Sequence, residues 1–535
     1  MKLEIIEKLI KEIEVMKALS RRWHPMWQEV LKWTYPEKDM MFNLKAQIGS
    51  RMNKHIYDSS ATDALEEFAS IMAGLLVNPA TPWFIWSTGN NQLDQRPKTS
   101  KWLQDVTRII LSKLSDSNFT EAITEQLVDL GSLGTAPMVV SKNADGKLVF
   151  ETIPVFNVMI TPGAKGVIKK YAIKYTYNYN QLVDEYGEDA FPTDFKKDID
   201  EQKLQDKEWE VIHYIEPNDK TAYNQSNKRR KGVKFKFVSY HVLVDKKHIL
   251  KESGYSSNPM AFPRFFTTSA ESFGRSPLTR KLGDVKVLNK MVKADLLGTQ
   301  IAITPPVQIQ DSGMIRPLRL TPLAVNVTRR NAEIKPIFTG TRPDIANDKI
   351  VRMQQKLEKA FMLDKLRLVE SDRMTAVEVS QRRDEQFRSI GTFLTRFSNE
   401  DLRIVIDRVF DLVSDEIPER PKELKDLKNI IPKYTSLVSK AQGAGEGESL
   451  LRAIQENGVL IEKDPNILDL IDGDKSLLNS LDRWNVDRNL IRLPEDVKGI
   501  REQRAKIQKE AQEAELANSQ AQAAKTMGEA NAAVG

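Results

Sequence analysis

Apolar residues recur at spacings of three and four through the first third of the chain, a period that predicts amphipathic helices. Leu65, Phe68 and Met72, for example, fall on one face of a single predicted helix. Helices are predicted over about residues 2–35, 60–76, 95–115 and 119–130. We therefore expect the N-terminal part of the chain to consist of helices that each bury one face.

From about residue 138 to residue 255 the hydrophobic period changes to two, the period of a strand with one buried face. The β-rich runs fall at about 138–140, 147–152, 168–177, 209–215 and 233–244. Turn-forming pairs such as Asp145-Gly146 and Pro162-Gly163 separate some of these runs. The pattern predicts an antiparallel, meander-like insert with one short helix near residues 181–186.

Helical spacing returns at Ser276-Pro277, where a serine cap precedes a proline at the first helical position. Farther along, Thr375 and Glu378 form a capping box at the start of a long helix that Gly391 is expected to kink. Three helices are predicted in this part of the chain, at about 277–298, 343–362 and 375–416. A proline-rich insert and a charged loop separate them, and the whole order predicts an α+β fold that is mainly α.

The length of 535 residues predicts two to four domains, and a composition of 29% charged and 40% hydrophobic residues is typical of a folded, soluble protein. The chain has no cysteine, which excludes disulfides, thiolate metal sites and cysteine nucleophiles. No apolar run approaches the roughly 20 residues that cross a bilayer, so no membrane partner is expected. The net charge of +6 is small for this length and does not by itself indicate nucleic-acid binding.

Motifs of catalysis are missing from the sequence. There is no GxxxxGK[ST] phosphate-binding loop, and the five histidines form no HExxH pair and no set with metal-ligand spacing. We expect no enzyme activity, no cofactor and no metal. Two rival functions stay open, namely a DNA-processing enzyme with dispersed carboxylates, such as a nuclease or motor subunit, and a non-viral oligomeric scaffold.

Basic residues are arranged with more order than the other charges. Lys286, Lys290 and Lys293 share one face of a predicted helix, and Lys349, Arg352, Lys356 and Lys359 share a face of the next. The insert between these helices carries Arg316, Arg319, Arg329 and Arg330. Each set fits either a solvated surface or sequence-independent attraction to phosphates. Because aromatic residues are not interleaved with these cations, base stacking is not indicated.

Three stretches of the sequence resemble portal proteins of short-tailed bacteriophages of the podovirus type. These proteins are also called head-to-tail connectors. Phe273-Gly274-Arg275-Ser276-Pro277-Leu278, followed by Leu282–Asn289, is similar to the family's junction between wing and stem. Phe361-Met362-Leu363, the charged loop after it and Met374-Thr375-Ala376-Val377-Glu378-Val379 resemble its tunnel loop and following helix. The stretch from Phe68 to Trp83 resembles its N-terminal wing, and the likeness covers about residues 20–460.

The resemblance implies the portal fold, with wing, stem, clip and crown or barrel, assembled as a ring. Transferred by position, it implies a wing at 1–276, which includes the β-rich insert at about 138–255, and again at 375–430. The other expected parts are stem helices at 277–299 and 343–363, a clip at 300–342, a tunnel loop at 364–374, a crown at 431–493 and a helical barrel or disordered tail at 494–535.

The resemblance also implies a function. The expected product is a homo-oligomeric ring, typically of about twelve subunits, at one vertex of the capsid, which conducts double-stranded DNA during genome packaging and ejection. Its expected partners are the large subunit of the terminase motor, the tail adaptor and nozzle proteins that replace it, and the scaffolding and major capsid proteins. The expected location is the virion, with the host cytoplasm during assembly.

If the chain forms such a channel, two sets of basic residues have expected roles. Strong cationic belts would hold a duplex in place, so a channel needs few, mobile or counterbalanced cations. Lys365, Arg367 and Arg373, interrupted by acidic residues, are expected to line the channel as a soft collar, and ordinary solvent exposure is the other interpretation. The four clip arginines are expected either to dock the motor or to join neighbouring subunits.

Overall fold

In the computed structural model, residues 2–39, 53–78, 82–218 and 235–303 are described, apart from 95, 144, 163–167, 193–194, 196–198, 200–206 and 269–270. Residues 343–367 and 390–434 are also described, apart from 425–429. The other described pieces are 307–308, 335–336, 472–474, 476–477, 492 and 496–514. Across this described part of the chain, no helix combines the length and the apolar character that crossing a membrane requires.

The N-terminal region is helical, as predicted. Its helices are α1 (Lys2–Arg21), α2 (His24–Thr34), α3 (Pro36–Asp39), α4 (Ser60–Leu76), α5 (Asn91–Asp94), α6 (Pro97–Ser115) and α7 (Phe119–Leu133), with strand β1 (Phe84–Ser87) before α5. The single helix predicted over residues 2–35 is broken after Arg21, because Pro25 favours the start of a new helix at His24. Helix α7 continues past its predicted end at Gly131 and stops at Gly134, whose φ of 83° ends helices readily.

The predicted β-rich insert is confirmed as two antiparallel sheets. Strands β2 (Met138–Lys142), β3 (Leu148–Thr152) and β9 (Met260–Ala261) form the smaller sheet in the order β3-β2-β9. The larger sheet is a meander of β4 (Val158–Pro162), β5 (Ile168–Tyr177), β6 (Trp209–Pro217), β7 (Phe237–Leu243) and β8 (His248–Tyr255) in chain order. The predicted short helix is α8 (Tyr179–Tyr186), and Asn178 with Gln181 forms its capping box.

Helices cover both faces of the five-stranded sheet near β4 and β5. On one face, Ile13 and Met16 of α1 contact Ala172 and Tyr214 in a buried cluster. On the other face, Trp27 of α2 is buried with apolar residues that include Ile173 and Phe273. Because adjacent strand residues point to opposite faces, Ala172 and Ile173 bring α1 and α2 to opposite sides of one strand.

Two longer helices follow the sheets, namely α9 (Pro277–Ile303) and α10 (Pro343–Ala360), and then comes the short α11 (Leu363–Leu366). Of the expected clip, the two-residue strands β10 (Val307–Gln308) and β11 (Lys335–Pro336) are described, and they pair antiparallel. Of the predicted helix at 375–416, residues 375–389 lie outside the described residues and 390–397 are helical. A π-helical turn at Ser398–Leu402 leads into α12 (Arg403–Leu412).

The π-helical turn is held from two sides. Arg264 donates to the Glu400 carboxylate from its backbone N–H at 3.0 Å and from Nε at 3.2 Å. The next residue, Asp401, is fully buried and accepts a hydrogen bond of 2.7 Å from Gln126 Nε2 of α7. These contacts stabilise the extra residue of the turn where an α-helix was predicted to continue.

The chain divides into two compact units. The first includes residues 1–84 and 108–417, and the second includes 85–107 and 418–433. Strand β12 (Ile431–Tyr434) forms a two-stranded sheet with β1. In the second unit Trp102 Nε1 donates to the Pro418 carbonyl at 2.8 Å, which joins its two chain segments. The predicted α+β class, mainly α, is confirmed.

Candidate functional site: the helix pair and the loop after it

Helix α9 begins at a buried serine cap, as predicted from the sequence. The Ser276 hydroxyl accepts the Thr279 N–H at 2.8 Å and donates to the Ser132 carbonyl at 2.7 Å. The first interaction satisfies a free N–H of the first helical turn. The second attaches the start of α9 to the end of α7, so α7 helps to set the direction of α9.

Two glycines allow this attachment. A Cβ on Gly134 would lie 2.5 Å from the backbone of Arg275 and Ser276, and a Cβ on Gly274 would meet the Gly134 carbonyl oxygen. Gly134 also has a φ of 83°, which L-residues with side chains rarely adopt. The two backbone segments can therefore cross in direct contact only if both positions remain glycine.

The first half of α9 is anchored by a buried asparagine. Asn289 Oδ1 accepts the backbone N–H of Tyr57 at 2.6 Å, and its Nδ2 donates to the His55 carbonyl at 2.9 Å. Leu288 beside it is also buried. Asn289 thus fixes the otherwise irregular segment before α4 onto α9, a role that the helical period of the sequence does not reveal.

Helices α9 and α10 are joined by polar contacts as well as by apolar packing. Lys356 of α10 approaches Asp284 at 3.0 Å, and Lys281 approaches the same carboxylate at 3.4 Å. Burial opposes ionisation of Asp284, but the hydrogen bonds from Lys356 and Lys281 outweigh it and lower the pKa of this carboxyl. Gln354 of α10 in turn donates to Asp58 Oδ2 at 2.9 Å.

Helix α10 ends against an aromatic cluster. Phe361 is fully buried, and its ring centroid lies 5.5 Å from that of Phe68 on α4. Phe68 also contacts the rings of Phe265 and Phe393. Met362 then adopts a left-handed φ of 60°, an uncommon conformation for a residue with a side chain. The cluster fixes the point at which the chain leaves α10 for the expected tunnel loop.

The expected loop begins as the short helix α11 (Leu363–Leu366), and Arg367 directly after it is held in place. The Arg367 guanidinium binds the Glu67 carboxylate through two hydrogen bonds of 2.6 Å, and it reaches Glu358 at 3.2 Å. The hydrogen bonds from Arg367 lower the pKa of Glu67. The cation of Arg367 is therefore counterbalanced by two carboxylates, one on α4 and one on α10, while Lys365 nearby is exposed.

Some cations of the two predicted basic faces have partners within the chain, and others are exposed. Lys286 pairs with Glu29 of α2, and Lys293 lies over the Tyr57 ring at 5.2 Å. Lys290, Lys349 and Lys359 are exposed, and Arg352 has a distant contact of 3.8 Å to Asp348. The other expected site residues, Arg373 of the loop and Arg316, Arg319, Arg329 and Arg330 of the clip, lie outside the described residues.

The second half of α9 differs from the first because it exposes apolar side chains. Leu296 is 54% exposed, Leu297 49%, Ile301 37% and Ile303 75%. Val287, farther up the helix, is 49% exposed. Contiguous exposed apolar groups of this kind mark interaction surfaces in soluble proteins. The sequence shows that these residues are apolar, but its periodicity does not show which of them are buried within a single subunit.

The histidines and carboxylates do not form a metal site within the described residues. His213 and His241 face each other on β6 and β7, with ring centroids 4.0 Å apart. Burial lowers the pKa of His213 well below its usual value and that of His241 to about 4. Both lie within strands and are directly paired across β6 and β7.

Comparison with known proteins gives one family and several relatives. Residues 7–491 match the family model described as "Bacteriophage head to tail connecting protein". The chain is 26% identical over 524 residues to the "Probable portal protein" of Bordetella phage BPP-1, covering 96% of this chain and 93% of the relative. It is 25% identical over 537 residues to the portal protein of Salmonella phage epsilon15, covering 98% and 95%.

Matches among solved structures come from gene transfer agent particles. A chain from the neck of an empty particle, computed with C6 symmetry, has a TM-score of 0.39 and 11% identity and covers 80% of this chain and 97% of that one. A chain from the neck of a native particle, computed with C12 symmetry, has a TM-score of 0.37 and 11% identity, with coverage of 78% and 91%.

Proposed function

We propose, on the premise that this chain belongs to the bacteriophage head-to-tail connecting protein family, that it is a structural portal subunit. Copies of it form a ring-shaped channel at one vertex of the capsid. The channel conducts double-stranded DNA into the head during packaging and out of it at ejection. The chain acts as a scaffold and a conduit and has no catalytic role.

The observation that carries this proposal is the extent of the family match. It spans residues 7–491 and therefore includes the N-terminal helices, both sheets and the helix pair. Two phage portal relatives match almost the full length of the chain as well as of themselves. A match to an isolated domain would leave the function of the remainder open, whereas this match leaves no large segment for a separate enzyme.

The charges of the helix pair are consistent with a conduit. Lys286, Lys356 and Arg367 each have a carboxylate partner within the chain. A duplex carries one negative charge per about 1.7 Å, so rings of unpaired cations would bind it strongly. Neutralised cations leave a weaker, sequence-independent attraction, which permits DNA to move along the channel.

The proposal also includes the number of subunits in the ring and the identity of the partner proteins. We assign a ring of about twelve subunits, docking of the terminase large subunit and later of the tail adaptor and nozzle proteins, and contacts with scaffolding and major capsid proteins. Residues 277–299 and 343–363 are the proposed stem, 300–342 the clip and 364–374 the tunnel loop. The protein is a component of the virion and is assembled in the host cytoplasm.

The ring is tested first. The full-length protein is purified and examined by native mass spectrometry and negative-stain electron microscopy, and closed rings with a hole wide enough for duplex DNA are expected. A stable monomer, or a ring whose hole is narrower than a duplex, would contradict the proposal. The same preparation is incubated with DNA, ATP and magnesium, and hydrolysis of either substrate would favour the rival DNA-processing enzyme.

The tunnel loop is tested next. Replacing Lys365, Arg367 and Arg373 by Ala removes the proposed collar, and rings are expected to form while packaged DNA length or retention changes in particles assembled with the variant. The matched control replaces Lys290, Lys349 and Lys359, three cations on the helix pair. Equal packaging and retention in wild-type and triple-variant particles would refute the collar.

The clip arginines are tested by charge reversal. If Arg329 and Arg330 dock the motor, the variant with Glu at both positions is expected to form rings that no longer recruit the terminase large subunit. If these arginines join subunits, the same variant loses the ring itself. Rings that still recruit the motor normally would exclude both roles.

A further inference from the structure

A pocket of about 490 Å³ lies between the end of α1, the start of α2 and the segment just before α9. Much of its lining is apolar, because Ile160 and Phe273 are buried there and Trp23 and Met26 are half-buried. Ligand pockets in proteins have volumes of roughly 300–1,000 Å³. This pocket is therefore large enough to admit a ligand group.

Arg275 is held at the pocket as an oriented donor. Its Nε and Nη2 donate to the two oxygens of the Glu271 carboxylate at 2.8 and 2.5 Å, and its guanidinium lies 5.4 Å from the centroid of the Trp23 ring. The third nitrogen, Nη1, donates to Met26 Sδ at 3.8 Å, and a thioether sulfur is a weak acceptor. Arg275 thus keeps N–H capacity for a stronger acceptor, such as a carboxylate oxygen.

Arg22 supplies a second cation to the same pocket. It is exposed, and no hydrogen bond or ion pair joins it to another side chain within the described residues. The charged groups of the lining are therefore two guanidiniums and one carboxylate, that of Glu271, which together carry a net charge of +1. An anionic group would complement this charge.

The apolar surface continues out of the pocket along α1. Leu19, which lines the pocket, is 36% exposed, and Val15 is 61% exposed. Residues four apart share one face of a helix, so the two side chains form a strip that extends about 6 Å along α1. Exposed Lys11 lies four residues before Val15, at the far end of the strip. A contiguous apolar surface with a charged rim is typical of an interaction site.

We propose that this pocket and strip are the docking site for an acidic segment of a partner protein. In that segment a large apolar side chain stands next to a carboxylate. The apolar side chain enters the pocket beside Phe273, and the carboxylate accepts hydrogen bonds from Arg275 Nη1 and from Arg22. The remainder of the segment lies along Val15 and Leu19. This inference goes beyond the proposed function and does not require that a ring forms.

A protein segment fits these observations better than nucleic acid does. Phosphates would match the two guanidiniums, but the apolar lining and the strip offer no polar group to sugars or base edges. The Trp23 ring already contacts Arg275, Trp27 and Phe273, so it is poorly placed to stack on a base. A small anion would leave the strip uncovered, whereas a chain segment covers the pocket and the strip together.

The first experiment selects ligands from a library of random peptides displayed on their own mRNA. The immobilised full-length protein is the target. Enrichment of peptides that place Phe, Leu, Met or Trp beside Asp or Glu is expected. The enrichment should disappear when Arg22→Glu replaces the wild-type protein as the target. Absence of any enrichment, or enrichment of basic peptides, would overturn the proposal.

The second experiment measures the affinity of one enriched, fluorescein-labelled peptide by fluorescence anisotropy. Arg22→Glu is expected to raise its Kd at least about tenfold, because a direct charge pair is reversed. Val15→Ser, on the strip, is expected to raise it about threefold. Arg21→Glu is the matched control, since Arg21 is exposed and adjacent but does not line the pocket. At physiological salt this control should change the Kd by less than about twofold.

The outcomes separate the occupants of the pocket. Equal weakening by Arg21→Glu and Arg22→Glu would show general charge attraction and overturn the proposal. Displacement of the peptide by a short DNA duplex would assign the pocket to nucleic acid, and inhibition of ring assembly by the peptide would assign it to a neighbouring copy. Either result would also overturn it.

Melting temperatures check that the variants are folded. Arg22→Gln removes the charge without reversing it and replaces Arg22→Glu if the Glu variant melts at a lower temperature than wild type. It is expected to weaken binding of the peptide at least about threefold. Unchanged affinity in a folded Arg22→Gln variant would overturn the proposal. Because these measurements do not depend on ring formation, a wild-type protein that forms no ring would refute the proposed function alone.

Discussion

The two halves of α9 have the same secondary structure but opposite surroundings. The first half is enclosed by α2, α7 and α10 and is fixed by Ser276 and Asn289. The second half exposes Leu296, Leu297 and Ile303. A helix that is apolar on several sides is stable in water only when other elements cover those sides. Other elements of the same chain cover the apolar sides of the first half. The apolar sides of the second half remain exposed in the single chain.

One continuous helix can therefore affect both the stability of the folded subunit and the stability of the ring. Side chains of the first half are expected to contribute to folding of the subunit, whereas the exposed side chains of the second half are expected to contribute little to it. Substitutions should therefore separate according to position along α9 and its supports. Unfolding of the monomer should respond to the first half, and ring formation should respond to the second half.

The largest expected effect is at the support of the helix pair. Phe361→Ala removes a fully buried ring from the cluster with Phe68 and should lower the free energy of unfolding by about 3–5 kcal/mol. Urea denaturation followed by circular dichroism measures this change. Lys365→Ala, an exposed neighbour in sequence, is the control, and an equal loss in the two variants would show that the cluster does not support the pair.

A pH series changes the charge of the buried Asp401 without changing the volume of a side chain. Burial raises the pKa of Asp401 to about 7, above the ordinary aspartate value of 3.8, and its hydrogen bond from Gln126 offsets only part of this. The stabilising contribution of the bound proton is complete below about pH 4 and is lost as pH rises to 7. Above pH 7 the buried carboxylate should therefore reduce stability by at most about 4 kcal/mol.

Asp401→Asn tests this expectation. The amide stays neutral, so the variant should gain stability relative to wild type as pH rises from 4 to 7 and keep a constant advantage above 7. Melting temperatures of both proteins at matched ionic strength give the difference. A difference that does not vary with pH would show that Asp401 is ionised throughout the series.

The anchor in the first half of α9 should have an intermediate effect. Asn289→Ala leaves the Tyr57 N–H and the His55 carbonyl without their partner, which should cost about 2–3 kcal/mol of unfolding free energy. Lys290→Ala, the next residue, is exposed and should change stability by less than about 0.5 kcal/mol. Similar values for the two variants would remove the distinction between anchored and exposed positions.

The smallest effect on the monomer should come from the second half. Ile303→Ala removes a side chain that is already 75% exposed and should change the unfolding free energy by less than about 0.5 kcal/mol. The same substitution should weaken ring formation, which size-exclusion chromatography with light scattering detects. A large loss of monomer stability would mean that the exposed half contributes to folding after all.

Much of the fold could be predicted from periodicity and turn chemistry. The change from a helical period to a period of two located the β-rich region, although β4, β8 and β9 lie outside the predicted runs, and Ser276 with Pro277 located the start of α9 correctly. Element boundaries were less accurate because neighbours decide them. Gly131 was expected to end α7, but it lies inside the helix where a larger side chain would meet Leu65. The π-helical turn at Ser398–Leu402 depends on Arg264 and Gln126, which are distant in sequence.

The candidate site was only partly predictable for the same reason. The lysines of α9 and α10 were recognised by their spacing, but spacing does not show that Lys286 meets Glu29 or that Lys356 meets Asp284. Arg367 was expected to be a loop cation of the channel, and its carboxylate partner Glu67 lies 300 residues earlier in the chain. Such pairings depend on tertiary structure, and a single sequence contains no signal for them.

The crossing of Gly134 and Gly274 has a mechanical consequence. Because two main chains touch there without side chains between them, no side chain separates the start of α9 from the end of α7. A load applied along α9 by a sliding polymer would pass directly into α7 and the small sheet rather than bend the junction. The start of α9 is thus fixed at this crossing, and any bending under load is expected farther along the helix.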